Sequence, residues 1–313
     1  MTPDLRRAVE ILRAGGLVAF PTETVYGLGA DASNAKAVSR LYAAKRRPVD
    51  HPVIIHFADS KKAFAWARDV PAAAKKLAER FWPGPLTLIL KKSAKAGNFV
   101  TGGQDSVGLR VPSHPVAQEL LKQFAGGIAA PSANRFGLVS PTTAAHVRED
   151  LGTDVDLVLE GGASEVGIES TIVDLSGGVP VLLRPGHVTL QQLEETLKAK
   201  LETKKQTSPR HSGGLERHYA PRTPARMVPS HGLDKAITEL NARVAVLAFS
   251  RPDERVDFWL RMPRAPQAYA QRLYAALREL DGAGCERILV EAPPESAEWA
   301  AVRDRLKRAC EPA

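Results

Sequence analysis

Residues 17–57 restrict this chain more than any other segment. Leu17-Val18-Ala19-Phe20 follows a Gly15-Gly16 break and has the profile of a short buried strand. Pro21 stops it. Thr22, Glu23, Thr24 and Tyr26 follow in a segment punctuated by Gly27 and Gly29, glycines that allow tight turns. A helix comes next, with Ser33 or Asn34 as N-cap and Val38, Leu41 and Tyr42 on its inner face. Lys45-Arg46-Arg47-Pro48 ends it, because proline cannot continue a helix. Strand, polar turn, helix and cations at the exit together suit an anion site. They equally suit an ordinary turn and a helix end whose cations complement the dipole. The segment alone leaves both readings open.

A chain of 313 residues has room for one large domain and a smaller one. With 44% hydrophobic and 25% charged residues, its composition is that of a globular protein. No apolar run approaches the ~20 residues of a membrane span and no signal-peptide core opens the chain, so a cytoplasmic location away from membranes is expected. Cys285 and Cys310 have no metal-ligand spacing, which argues against a zinc site or disulfide framework. A net charge of +8 and a pI near 9.5 suit an anionic partner. There is, however, no Lys/Arg block of the kind found in nucleic-acid tails.

Thr2-Pro3 caps a first helix carrying Leu5, Val9 and Leu12 on one face. Residues 52–57 read as a strand with Val53, Ile55 and Phe57 on one side and His56 on the other. Helical stretches near 60–68 and 72–81 lead through the rigid turn at 81–85 to a strand over 86–90. Residues 107–111 alternate: Val107, Leu109 and Val111 face a core, Gly108 and Arg110 the opposite side. Arg110 therefore faces either solvent or a polar cavity, and in a cavity its planar fork suits a carboxylate or phosphate. After a helix over 115–124, a strand at 128–130 runs into Pro131-Ser132-Ala133-Asn134-Arg135, and Ser140 to Thr143 start another helix. For Ser132, Asn134 and Ser140, local capping is the competing explanation. Leu157 to Glu160 lead through Gly161-Gly162 to residues 167–174, and a strand ending at 182–186 precedes a helix from Thr189 to about Leu201.

Composition changes over 202–224, which holds Lys204, Lys205, Arg210, Arg217 and Arg222, Gly213-Gly214 and few apolar residues. It reads as a linker, ending in His218-Tyr219-Ala220-Pro221. Beyond it, strands at 243–249 and 287–291 alternate with helices at 266–280 and 296–309, the pattern of a small α/β domain with a parallel sheet. The expected organisation is a domain over 1–201, a linker over 202–224 and an accessory domain over 225–313. The P-loop, H-E-x-x-H and G-x-S-x-G patterns are absent, and Gly27-x-Gly29 lacks the third glycine of a dinucleotide fingerprint.

Seven longer motifs narrow the reading. PTETVYGLGADA, KRRPVDHPVIIHF, FWPGPLTLIL, VGLRVP, APSANRFGLVSPT, GIESTIVDL and LLRPG occur in the order typical of YrdC-like threonylcarbamoyl-AMP synthases. The likeness spans about residues 5–200, and the HYAP tail followed by a small α/β domain resembles the longer members of that family. The resemblance implies a twisted mixed sheet around a large, internally cationic cavity, followed by a small Rossmann-like domain. It implies formation of threonylcarbamoyl-AMP and pyrophosphate from L-threonine, bicarbonate and ATP with Mg²⁺, by nucleotidyl transfer. A partner machinery then moves the threonylcarbamoyl group onto adenosine 37 of tRNA.

By the same resemblance Lys45 and Arg47 hold the ATP phosphates, with Arg110 completing the catalytic set. Ser132 and Asn134 bind nucleotide, and Ser132 also reaches threonine. Thr24, His56, Arg110 and Ser170 surround the amino acid, Arg110 pairing its carboxylate. Ser106, Ser140, Arg184 and His51 contact ATP, and Tyr219, with His218, folds over the site from the linker. His51 stands where many relatives have asparagine, and SPRHSGGLERHYAP departs from the family pattern ahead of HYAP. The competing class is an RNA-binding or ribosome-associated module with weak RNA contact. The small hydroxyls and amides in the motifs, rather than stacking aromatics, argue against that as the sole role. Carbamoyl transfer as in hydrogenase maturation proteins needs cysteine-rich segments the chain lacks.

Overall fold

A computed structural model of the chain describes residues 2–203 and 208–311; Lys204 and Lys205 of the expected linker lie outside them. The described residues form two compact units. The first runs through Phe136 and continues in Pro141–Glu165 and Glu169–Gly214.

Its strands are β1 (Val18–Phe20), β2 (Gly27–Asp31), β3 (Ile54–His56), β4 (Leu86–Lys91), β5 (Ser106–Arg110), β6 (Ile128–Ala129), β7 (Leu157–Val158), β8 (Thr171–Asp174), β9 (Val181–Arg184) and β10 (Glu202–Thr203). They form a single mixed sheet ordered β10-β9-β8-β4-β5-β3-β6-β2-β1-β7. Parallel pairing of β3 with β5 and of β4 with β8 alternates with antiparallel pairing of β4 with β5 and of β3 with β6. The reason β1 reads as an unbroken apolar run is that both its faces are covered. Val18 and Phe20 pack with Leu5, Leu12 and Leu120, from helices Pro3–Arg13 and Pro115–Phe124. Leu17 and Ala19 pack on the other side with Leu41 and Val147, from helices Ala35–Lys45 and Ala144–Leu151.

Gly27 and Gly29 do not make turns. They lie in β2, antiparallel to β1, with ordinary negative φ. A Cβ on Gly29 would sit 2.9 Å from both Phe20 and Ile128 and 3.1 Å from the Val18 carbonyl. The glycine is there for close approach within the sheet, not for a left-handed bend. The helix before Pro48 also stops earlier than proline requires, at Arg46, a non-glycine residue in the left-handed region (φ 53°, ψ 39°). Asn34 is its N-cap. Ser140 starts no helix, because the cap is Thr143, whose hydroxyl accepts from the His146 amide. The last helix of the unit is shorter than the sequence suggests, Leu190–Leu197, and carries a full Thr189/Gln192 capping box.

The second unit comprises Leu215 onward together with Gly137–Ser140 and Val166–Ile168, two short pieces drawn from within the expected first domain. They belong here because Ala220 N–H donates to the Gly137 carbonyl (3.0 Å), Arg278 donates to that of Val139 (2.6 Å), and Gly167 lies under Gln271. Its sheet is wholly parallel, in the order β11 (Ala225–Val228), β14 (Arg287–Glu291), β12 (Val244–Ala248), β13 (Phe258–Arg261). β11, β13 and a helix at Leu233–Glu239 join the elements expected from sequence. No helix among the described residues is long and apolar enough to cross a membrane.

Candidate functional site

The side chains that gather in the first unit do so because β3, β4 and β5 are adjacent. Arg110 is the direct register partner of His56 on β3 and of Thr87 on β4, so all three share one sheet face. Further along that face Gly108 leaves room above an apolar floor of Ile54, Ile89 and Ile172. Arg110 is therefore not a solvated edge residue: only 4% of its surface is exposed. Its Nη2 donates to Glu23 Oε1 at 2.7 Å, and its Nε to the Gly84 carbonyl at 3.4 Å. Glu23 Oε2 accepts from the Ser113 amide at 3.0 Å. Glu23, unassigned from sequence, is thus a buried partner of the candidate's key cation. Beside it, the Thr22 hydroxyl bonds the Thr24 hydroxyl (2.9 Å) and donates to the Val25 carbonyl (2.6 Å), fixing the turn that holds both Glu23 and Thr24.

His56 is buried against Phe20, ring to ring at 6.2 Å, and among the described residues its Nδ1 has no partner. Burial, and then the nearby Arg110 charge, push its pKa down to about 3. It stays neutral at physiological pH and is too weak a base to lead proton abstraction, so its role is to offer a hydrogen bond. Between its ordinary pKa of 6.5 and about 3, the unfolded chain takes up this proton and the folded chain does not. Stability therefore falls as pH drops through that window. Denaturant midpoints measured from pH 7 to pH 4 should decline less steeply in His56→Asn than in wild type. The expected difference is up to about 1.4 kcal/mol per pH unit.

From Arg110 a polar row continues across the sheet. Thr87 and Ser170 hydroxyls meet at 2.8 Å. Arg184, 2% exposed, donates through Nε to the Ser170 carbonyl (3.0 Å) and through Nη2 to the Ser170 hydroxyl (3.2 Å). Its Nη1 donates to the Ser212 carbonyl at 2.9 Å. The Ser212 hydroxyl donates to the Pro52 carbonyl (3.1 Å), which also accepts from Arg47 (2.8 Å). Ser212 belongs to the expected linker, and here Arg210, His211 and Ser212 pack onto the first unit. The Gln104 side-chain amide clasps the Arg210 backbone, accepting from its N–H (2.7 Å) and donating to its carbonyl (3.0 Å). With this segment in place the space beneath it, bounded by Thr87, Ser106, Gly108 and Ile172, is about 20 Å³, room for one water. Ser106 is buried on this wall.

Lys45 sits differently from the expected phosphate ligand. It is 1% exposed, and its Nζ donates to the carbonyls of Ser132 (2.5 Å) and Asn134. Burial, reinforced by the Arg47 charge, holds its pKa well below the usual lysine range. The ammonium shapes the Ser132–Asn134 loop from beneath. Arg47 lies over the Phe136 ring at 5.3 Å, and His51 packs edge-on against the same ring at 5.3 Å. The His51 pKa is lowered by partial burial and then by Arg47. Its carbonyl, accepting from Tyr42 (2.8 Å) and Arg47 (3.3 Å), is its main structural contribution.

Two expected site residues fall in the second unit. Ser140 is fully buried there. Tyr219 has a left-handed backbone (φ 64°) and is 1% exposed. Its ring packs on His218 (4.2 Å), Tyr274 (5.7 Å) and the Arg305 guanidinium (5.4 Å). Rather than an open flap, the aromatic pair is part of that unit's packed interior. The linker residues that do lie over the first unit's polar row are Arg210 to Ser212. Sequence reasoning missed them, because short polar residues beside glycines carry no periodic signal.

With this geometry established, the chain can be set beside known proteins. The family profile described as telomere recombination, Sua5/YciO/YrdC, matches residues 10–186. A second, described as the C-terminal domain of threonylcarbamoyl-AMP synthase, matches residues 188–310. The chain is 40% identical to the threonylcarbamoyl-AMP synthase of Pyrococcus abyssi, over 97% of this chain and 93% of that protein. It is 38% identical to that of Bacillus subtilis, over 98% and 93%. The crystal structure of P. abyssi Sua5 complexed with L-threonine superposes with a TM-score of 0.91, at 38% identity, covering 97% of this chain and 93% of that one. The mixed sheet and the parallel-sheet unit are thus those of a known architecture, and the chain belongs to the Sua5/YciO/YrdC family in its two-domain form.

Proposed function

We infer that this protein is a threonylcarbamoyl-AMP synthase, an enzyme that joins L-threonine, bicarbonate and ATP into threonylcarbamoyl-AMP with release of pyrophosphate and water. Relatives bearing that name along the whole chain and a threonine-bound structural neighbour support it. The observation that carries it in this molecule is the buried row from Arg110 through Thr87, Ser170 and Arg184 to Ser212 and Pro52, where Arg47 joins it. It sets a carboxylate-sized fork at one end and further guanidinium groups at the other.

Threonine enters with its carboxylate on Arg110 and its polar atoms within reach of Thr24, His56 and Ser170. Its amine adds to bicarbonate carbon with loss of water, giving N-carboxythreonine. A carbamate oxygen then attacks the α-phosphorus of ATP, and the α–β bridging oxygen leaves with pyrophosphate. No protein nucleophile takes part, and the protein contributes position and fixed positive charge. Arg184 and Arg47 hold the phosphates. Lys45 supports the Ser132–Asn134 loop that borders the nucleotide, with Ser106 and His51 as further contacts. Among the described residues there is no cluster of three or more His, Cys, Asp or Glu that could hold a metal ion. Mg²⁺ bound together with ATP would neutralise charge on the triphosphate, while Arg47 and Arg184 act on it from the protein side. The product goes to a tRNA-modifying partner in the cytoplasm.

The test is pyrophosphate release by purified protein with ATP and Mg²⁺, omitting threonine or bicarbonate in turn. Release that requires both is the expected result. Folded protein that binds ATP yet releases nothing in response to threonine would sink the assignment and leave a nucleotide- or RNA-binding relative.

A further inference from the structure

Arg110 and Glu23 form a fixed buried pair, each side chain 5% exposed, with the carboxylate held at both oxygens by Arg110 and the Ser113 amide. Arg110 still has an open edge: none of the described residues accepts from its Nη1, so a fork remains for an incoming anion. A lone guanidinium in this setting would attract any small anion, and this enzyme must handle bicarbonate, phosphates and pyrophosphate a few residues away. A carboxylate 2.7 Å from the guanidinium cancels its net charge without filling that edge. What such a neutral pair suits is a ligand that is itself neutral overall and carries both signs.

We propose that Glu23 determines specificity at this end of the row. It steadies Arg110 and cancels its net charge, so that the pocket takes the zwitterion of a free amino acid and rejects phosphate-like anions. The α-carboxylate meets the open edge of Arg110, and the carboxylate of Glu23 provides the negative counterpart for the ammonium. By contrast Lys45, the buried cation of the Ser132–Asn134 loop, donates only to carbonyl oxygens among the described residues. This rests on the reading that Arg110 binds the threonine carboxylate.

The test is calorimetric titration of the full chain with L-threonine, with and without excess inorganic phosphate. Glu23→Gln keeps the size and one hydrogen bond but removes the charge. It should weaken threonine binding about tenfold, the scale of a charge-assisted hydrogen bond. It should also gain competition by phosphate that wild type lacks, while ATP affinity stays unchanged. Glu23→Asp keeps the charge but shortens the reach; it should weaken threonine binding without admitting phosphate. Wild-type-like threonine binding in Glu23→Gln, or weakening with no phosphate competition, would overturn the proposal. So would phosphate competition in Glu23→Asp, a result that decides the matter even where the glutamine variant does not fold. Arg110→Ala separates the two levels. Undiminished threonine binding there would remove the underlying reading as well, whereas its loss beside an indifferent Glu23→Gln would remove the proposal alone.

Discussion

Replacing Arg110 by alanine is expected to remove threonine-dependent pyrophosphate release by on the order of 10²–10³-fold, the scale of losing one preorganised donor at a reacting site. It should also destabilise the fold by about 3–5 kcal/mol, because Glu23 is left as a buried charge with only the Ser113 amide. Urea denaturation at pH 7 should show this gap from wild type. Adding Glu23→Gln should recover part of the stability but none of the activity. No recovery of stability in the double variant would mean Glu23 was never the group stranded.

Gly29→Val is the second large effect, and it acts on the fold. The added side chain meets Phe20 and Ile128 at 2.9 Å and the Val18 carbonyl at 3.1 Å in the middle of three paired strands. Two of those contacts are core side chains and the third is backbone, so little can yield. The expected loss is about 3 kcal/mol, at the upper end for overpacking. Thermal melting should show it as a fall in Tm of several degrees, whereas Gly103→Ala, with open space around it and the same kind of assay, reports only the cost of its positive φ. A Gly29→Val protein as stable as wild type would mean that β1 and β2 can separate without cost.

These two positions also show where the sequence was readable. The alternation of Val107, Leu109 and Val111 against Gly108 and Arg110 survives intact in β5, because a period of two is imposed by the pleat itself. Arg110's surroundings were not readable: Glu23 is a single acid 87 residues away, in a turn with no periodicity. Gly27 and Gly29 misled, since glycine marks both bends and close approaches and only the neighbours decide between them. Lys45 and Arg47 stood out as cations at a helix exit, but a helix pattern cannot tell whether a lysine there points to a ligand or to the underside of a loop. β11 and β13 of the parallel sheet are four residues each, too short to register against the polar segments around them. The likeness to a family supplied roles that no local pattern contained.

The placement of Ser212 has a consequence for how tightly nucleotide is held. Its carbonyl occupies Arg184 Nη1, so a phosphate that uses that group competes with an acceptor on the same polypeptide. A tethered competitor acts at an effective concentration on the order of millimolar. Under the proposed function, in which Arg184 holds phosphate, the affinity for ATP would be the intrinsic one reduced by this competition. On that reading, Pro209 on one side and Gly213 and Gly214 on the other would set how readily residues 209–214 yield Arg184 to nucleotide. Changing it would tune KM for ATP without altering any group that touches the reacting atoms.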